Sequence, residues 1–333
     1  MRIFLTGGAG FVGGWIVKKL VADGHTVTVY DNFSSGLRDN ISGYGDTVTI
    51  IEGDILDFEL LKQSMAGHDV VSHQAAQLEI TTAIEDPSID VTQNIIGSLN
   101  TIRAAQANGI KKMVIASSGC IYGQVKNPPV KETDTARPNW EYGVSKLAVE
   151  KYCDIFADYD NMMIANLRYA IVYGENEWYG RVLTIFLKRA LENKPLIIFG
   201  EGSAERDFVH VEDVAALNVK LLTEKNWTGN KRLNVSTGVA TTVNQLAELV
   251  KEVVKEIDGK ELEVIHEELA EGKESKYVEG RLRLPRELGV MHLDNSEAKA
   301  FTDWSDTVAL KDGIRREYIW LKENHKRWHT LSY

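Results

Sequence analysis

Short runs of apolar, β-branched residues alternate along the chain with longer stretches whose apolar positions recur at three- and four-residue spacing. Arg2 to Thr6, Thr26 to Tyr30, Val48 to Ile51, Val70 to Ser72, Met113 to Ser117 and Met163 to Leu167 read as strands. Phe11 to Asp23, Glu59 to Met65, Pro87 to Ala107 and Trp140 to Tyr159 read as helices long enough to cross back over a sheet. Such βαβ units predict the α/β class, with a Rossmann-type, doubly wound parallel sheet covered by helices on both faces. Beyond about residue 173 the pattern loosens into helices near 180–193, 211–223, 242–256 and 308–324, with short strands such as Arg232 to Val235. This part predicts a smaller, mixed α/β lobe. The expected division is 1–173, joined by about 207–236, for the sheet domain, and about 174–206 with 237–333 for the lobe. Glu261 to Glu279, rich in carboxylates, is expected to be a solvated surface segment.

Composition narrows the partners. A chain of 333 residues with 44% hydrophobic and 26% charged positions suits one large or two modest globular domains. A net charge of −10 without a Lys/Arg cluster argues against binding nucleic acid, so an anionic ligand must be held by a few placed groups. No apolar stretch approaches the roughly 20 residues of a membrane helix. Cys120 and Cys153 lie mid-chain with no secretory leader before them, which predicts reduced thiols and a cytoplasmic location. No metal site is expected.

The stretch Thr6-Gly7-Gly8-Ala9-Gly10-Phe11-Val12-Gly13 links the first strand to the first helix. Gly7, Gly10 and Gly13 remove Cβ atoms where the turn is tight, where amides approach a pyrophosphate and where helix meets strand. The helix N-terminus adds a positive field. Asp31 ends the second strand about twenty residues on, where a ribose 2′-hydroxyl would sit, so NAD is favoured over NADP. Arg38 is near enough for a 2′-phosphate, but the Asp31 carboxylate would repel one. Asp54, after the third strand, is placed either for an adenine edge or as a helix cap.

Tyr142 and Lys146 are four residues apart in a helical stretch and share one face. An ammonium beside a phenol favours phenolate, which makes Tyr142 a usable acid/base. Ser118 follows the fifth strand at the carboxyl edge, where open parallel sheets bind ligands, and its hydroxyl can bond an oxygen passing between alcohol and carbonyl. Together the three groups point to hydride-transfer chemistry.

With these motifs the chain resembles the extended short-chain dehydrogenases/reductases of the NAD-dependent nucleotide-sugar epimerase/dehydratase group, over nearly its full length. The resemblance also rests on His73-Gln74-Ala75-Ala76-Gln77, Asn94-Ile95-Ile96-Gly97-Ser98, Leu167-Arg168-Tyr169 and Arg206-Asp207-Phe208-Val209-His210. It implies that Gln74, Ala75, Ala76 and Asn94 line the NAD site with Phe11, Val12, Asn32, Ile55 and Ser117. Tyr169 then borders the nicotinamide, and Lys146 grips its ribose. Arg206 is implied to contact the substrate pyrophosphate, with Arg283 or Arg286 filling a second basic place. Glu79 and Arg181 join the implied sugar side. A homodimer through the helices 87–107 and 140–159 is implied as well.

Dehydratases of this group carry Asp-Glu after the serine, and the decarboxylases carry Glu, whereas here Gly119-Cys120 follows Ser118. Without that acid the chain resembles the UDP-hexose 4-epimerases, in which Tyr142 would take the C4 hydroxyl proton while hydride moves to NAD and back. Ala170-Ile171 departs from the Phe-Asn usual in those enzymes. Cys120 keeps an alternative open, because GDP-sugar 3,5-epimerases carry a proton-shuttling cysteine at this place. They pair it with a lysine that Glu177-Trp178-Tyr179-Gly180-Arg181 does not supply, so Cys120 is read as a packing residue bordering the substrate. A dehydrogenase/reductase of the same fold that releases its reduced cofactor is the other alternative.

Overall fold

The computed structural model describes residues 1–177 and 179–325. The amino-terminal part runs β1 (Arg2–Thr6), α1 (Phe11–Ala22), β2 (Thr26–Asp31), β3 (Val48–Glu52), α2 (Phe58–Ser64), β4 (Val70–His73), α3 (Ile80–Glu85), α4 (Pro87–Asp90), α5 (Gly97–Ala107) and β5 (Lys112–Ser118). Then follow α6 (Glu141–Asp160), β6 (Met163–Tyr169), β7 (Ile171–Tyr173), α7 (Val182–Leu191), β8 (Leu196–Phe199), β9 (Glu205–His210), α8 (Val211–Thr223) and β10 (Asn230–Val235). The remainder is β11 (Ala240–Thr242), α9 (Val243–Asp258), β12 (Val264–Glu267), β13 (Val290–Met291), α10 (Ser296–Thr302) and α11 (Leu310–Glu323).

Seven strands form one parallel sheet in the order β10-β6-β5-β4-β1-β2-β3. Its central strands are apolar on both faces: Ile3, Leu5, Val27 and Val29 pack into one core layer, and Phe4, Val71, Met113 and Ile115 into another. This near-continuous apolar pattern is what a sheet covered by helices on both sides requires. Strand order reverses between β1 and β4, and a crevice opens at their carboxyl ends.

The smaller lobe holds two short sheets, β11-β9-β13 with β7 on β9, and β8 with β12. They pack with α7, α9 and α11 around Phe186, Leu187, Leu246, Val250 and Ile314. β7 and residues 207–210 of β9, both of which the sequence places with the larger domain, pair with one another in this lobe.

One expectation is refined and one corrected. The helix expected over 87–107 is continuous, as α4, a π-helical stretch over Val91–Ile96, and α5. The Glu261 to Glu279 segment is not wholly solvated: β12 runs through it, and Glu267 is buried. Ser275 Oγ donates to Glu267 at 2.5 Å and the Lys276 amide at 2.9 Å, so the buried carboxylate is satisfied.

Candidate active site

The crevice is a cleft of about 530 Å³ that runs from the glycine turn past β4 and β5 to the smaller lobe. Gly7 has a φ of +71°, and a Cβ there would stand 2.5 Å from the Ala75 amide nitrogen. A Cβ on Gly13 would meet the Gly7 carbonyl oxygen at 2.1 Å, so helix and turn close only without a side chain. At Gly10 the sole near neighbour among the described residues is the Gly7 carbonyl oxygen at 3.3 Å, which leaves the turn bare on the cleft side. Gly10 also begins α1 with no side-chain cap, and Phe11 and Val12 in the first turn line the cleft. This is the cradle an anionic pyrophosphate needs.

Asp31 lines the same cleft, 7% exposed. Its carboxylate accepts from the amides of Ala9 and Phe33, each at 2.9 Å, and burial raises its pKa. A fixed anion at this strand end suits a ribose diol and repels a 2′-phosphate. Arg38 is engaged elsewhere, paired with Glu52 and lying 4.1 Å from the Phe33 ring centroid. These residues fit NAD.

Ile55 lines the cleft, as does Asn32, whose Nδ2 donates to Asp54 Oδ2 at 2.9 Å. Asp54 itself accepts from the Leu56 amide at 2.9 Å and is absent from the cleft wall, and the N-cap of α2 is Asp57, so Asp54 takes neither the adenine edge nor the cap but braces the turn after β3. Gln74, Ala75 and Ala76 form part of the wall. Tyr169 Oη donates to Gln74 Oε1 at 3.1 Å, and Asn218 Nδ2 donates to Tyr169 Oη at 2.9 Å. Asn218, on α8, supports the wall from far along the chain and carried no sequence signal. Asn94 does not line the cleft; its side chain brackets the Gln77 backbone, accepting from N at 2.9 Å and donating to O at 3.0 Å. It holds the loop whose neighbours Gln77 and Glu79 do line it.

β5 delivers Ser117 and Ser118 to the cleft, and α6 delivers Tyr142 and Lys146. A Cβ on Gly143 would stand 2.7 Å from the Cys120 carbonyl oxygen, so a glycine there lets α6 close on the turn after β5. Ser117 Oγ is spent on Glu150, donating at 2.6 Å. Ser118 Oγ accepts from the Cys120 amide at 3.1 Å and its hydrogen bond favours the Tyr142 phenolate. Lys146 Nζ donates to the Ala116 carbonyl at 2.9 Å and lies 5.7 Å from the Tyr142 ring centroid. Burial pushes the Tyr142 phenol well above its ordinary range, with Cys120 and Asp90 adding to the rise and Arg181 opposing it. Burial also lowers the Lys146 ammonium to about 8, against which the charge of Asp90 works. The site therefore holds a protonated phenol whose ionisation waits for additional positive charge.

On the lobe side Cys120, Glu79 and Arg181 line the cleft. Burial raises the Cys120 thiol, with Ser118, Arg181 and Arg206 pulling the other way. Arg181 Nη1 donates to the Val172 carbonyl at 3.0 Å and stands 4.0 Å from Glu177. Arg206 is outside the cleft wall but near enough for its charge to act on Cys120. Arg283 is occupied with the Leu269 carbonyl at 2.6 Å and with Glu287 at 3.3 Å. Arg286, at a φ of +58°, pairs with Glu141 on the surface at 3.1 Å. Neither lines the cleft. Sequence reading missed Thr82, Glu177, Tyr179 and Met291, which do, and Arg281, whose charge acts on Tyr179.

The chain matches the model of the NAD dependent epimerase/dehydratase family over residues 3–236. It is 34% identical to a putative UDP-glucose 4-epimerase of Methanocaldococcus jannaschii over 97% of this chain and 99% of that one. A UDP-glucuronate 4-epimerase of Thermodesulfobacterium geofontis is 26% identical over 96% of both chains. The fold superposes, with a TM-score of 0.84 and 34% identity, on the crystal structure of a UDP-glucose 4-epimerase with UDP-glucose from Thermotoga maritima, covering 98% of this chain and 100% of that one. A glycine cradle, a ribose-side aspartate and a serine, tyrosine and lysine at one cleft therefore sit on a chain related to these isomerases along its whole length, and it belongs to the NAD-dependent epimerase/dehydratase family.

Proposed function

We propose that the protein is a UDP-hexose 4-epimerase of the UDP-glucose/UDP-galactose type. The observation that carries this reading is the convergence of Ser118, Tyr142 and Lys146 on one cleft wall, followed by Gly119 and a buried thiol where acid-dependent chemistries place a carboxylate. NAD, when bound, supplies the acceptor and donor of the C4 hydride. Tyr142 takes the proton of the C4 hydroxyl and returns it to the new alcohol. Lys146 holds the positive charge that favours its phenolate, and Ser118 bonds the same sugar oxygen. Burial keeps Cys120 protonated, which disfavours its use as a base at C3 or C5 and supports a packing role.

The test is a panel of UDP-, GDP- and dTDP-sugars run in deuterium oxide and analysed for new epimers. The expected result is C4 inversion of a UDP-hexose without deuterium on carbon, because the hydrogen never meets solvent. Deuterium at C3 or C5 would promote Cys120 to catalyst. A second reading, a UDP-uronate as substrate, is favoured by Arg181, whose charge acts on both Tyr142 and Cys120 and would complement a C6 carboxylate. UDP-glucuronate turning over faster than UDP-glucose in the same panel would select it.

The protein is further proposed to act as a homodimer. Val91 and Ile96 beside α5, and Val144, Tyr152, Ile155 and Tyr159 on α6, are large apolar side chains left exposed. A second copy packing the same helices would cover them, as an isologous contact requires. Light scattering at micromolar concentration is expected to return twice the chain mass, and Ile155→Glu is expected to halve it. A wild-type monomer would contradict the proposal.

A further inference from the structure

Asp90 ends α4 with its side chain 1% exposed. Ser145 Oγ lies 3.2 Å from its Oδ2, but Oδ1 is buried without a hydrogen-bond partner. A buried carboxylate with a bare oxygen is costly unless an opposite charge faces it. Ser145 is flanked in α6 by the working groups. Its Oγ lies 2.9 Å from the Tyr142 carbonyl oxygen and accepts from Asn94 Nδ2 at 3.1 Å, and Lys146 is the next residue. Lys146 is 5% exposed, and Asp90 is the acid whose charge sustains its ammonium. The charged and titratable groups facing this pair are Glu141 and Tyr142 on α6 and His73 on β4. Burial pushes the Asp90 carboxyl up and Glu141 adds to the rise, while Ser145, the Lys146 charge and Asn94 hold it down, and burial holds His73 neutral at about 3.

We propose that Asp90 is a positioning residue, the fixed counter-charge that keeps Lys146 an ammonium in the buried cleft while Tyr142 gives up and regains its proton. This rests on reading Tyr142 and Lys146 as the acid/base pair. Asp90 is needed because burial alone works against a charged lysine, and a neutral amine offers a phenolate no stabilisation. The same carboxylate raises Tyr142, so it tunes both groups in one direction. Removing its charge lets each lose its proton at lower pH.

The experiment uses the full-length chain labelled with 13Cε-lysine, with the Lys146 resonance assigned by its loss in Lys146→Arg. In Asp90→Asn the Lys146 midpoint is expected to fall by about one pH unit or more, as for loss of a close opposite charge. Asp90→Glu, which keeps the charge, is expected to move it by less than half as much. With the accepted sugar nucleotide, both limbs of the kcat/KM profile of Asp90→Asn are expected to shift to lower pH together, which a purely structural defect would not produce. An unchanged Lys146 midpoint in Asp90→Asn overturns the proposal. So does a wild-type Asp90 carboxyl still protonated at pH 7 by 13Cγ shift, a measurement that needs no variant to fold. A chain inactive on every sugar nucleotide but showing the expected lysine shift would defeat the functional reading and leave the counter-charge standing.

Discussion

Tyr142→Phe is expected to lower turnover of the accepted sugar nucleotide by several orders of magnitude, within or beyond the roughly 10²–10⁴ attached to loss of a positioned general acid/base. The half-buried phenol lines the cleft and lies 5.7 Å, ring centroid to ammonium, from Lys146. Phe keeps the ring's packing and deletes only the oxygen that exchanges a proton. KM and cofactor content are therefore expected to change little while kcat collapses. Ser118→Ala, which removes a hydrogen bond and no proton carrier, is expected to cost less, and Cys120→Ala to keep most activity. A Tyr142→Phe protein within tenfold of wild type would remove Tyr142 from the chemistry.

What the sequence made legible is local in the chain. The glycine turn, Asp31 and the Tyr142–Lys146 pair each sit inside one βα unit or one helix turn, and periodicity places such groups directly. The π stretch inside the helix over 87–107 was not legible, because its cause lies outside that helix. Gly97 packs so closely on Ile55 that a Cβ would stand 2.4 Å from Ile55 Cδ1, while Asn94 is bound to the Gln77 backbone. The extra residue of a π turn lets both contacts form in one helix. In the small lobe α7, α9 and α11 lie where periodicity puts them, and only the short strands were missed, for a related reason. β8 pairs with the distant β12, and β13 is only Val290–Met291, too short to show an alternating pattern. At the site, Arg286 and Asp54 answered to motif position, but their side chains are committed to Glu141 and to the Leu56 amide. A residue's place along the chain does not disclose which partner claims its polar atoms.

The largest stability effect is expected from Glu150, whose carboxylate is fully buried in α6. Arg168 on β6, 3% exposed, donates to it from Nε at 3.0 Å and Nη2 at 2.7 Å, and Ser117 Oγ donates at 2.6 Å. Arg232 Nε lies 3.3 Å away but has Asp154 as a second partner. Among the described residues, Glu150→Ala leaves Arg168 with the Tyr122 hydroxyl and the Glu132 carbonyl as hydrogen-bond partners, and it takes from the Ser117 hydroxyl, beside the cleft, its acceptor. Stranding one member of a buried ion pair costs roughly 3–5 kcal/mol. With an unfolding entropy of about 2.1 cal/mol/K per residue, a chain this long would lose roughly 4–7 °C of Tm. The penalty belongs to the stranded charge and not to the worth of the pair, so Glu150→Met with Arg168→Met is expected to recover much of it. Thermal unfolding of the two variants side by side separates these terms. A single variant within about 1 kcal/mol of wild type would mean that Arg168 finds water or another acceptor, a relaxation that its burial between β6 and α6 makes costly.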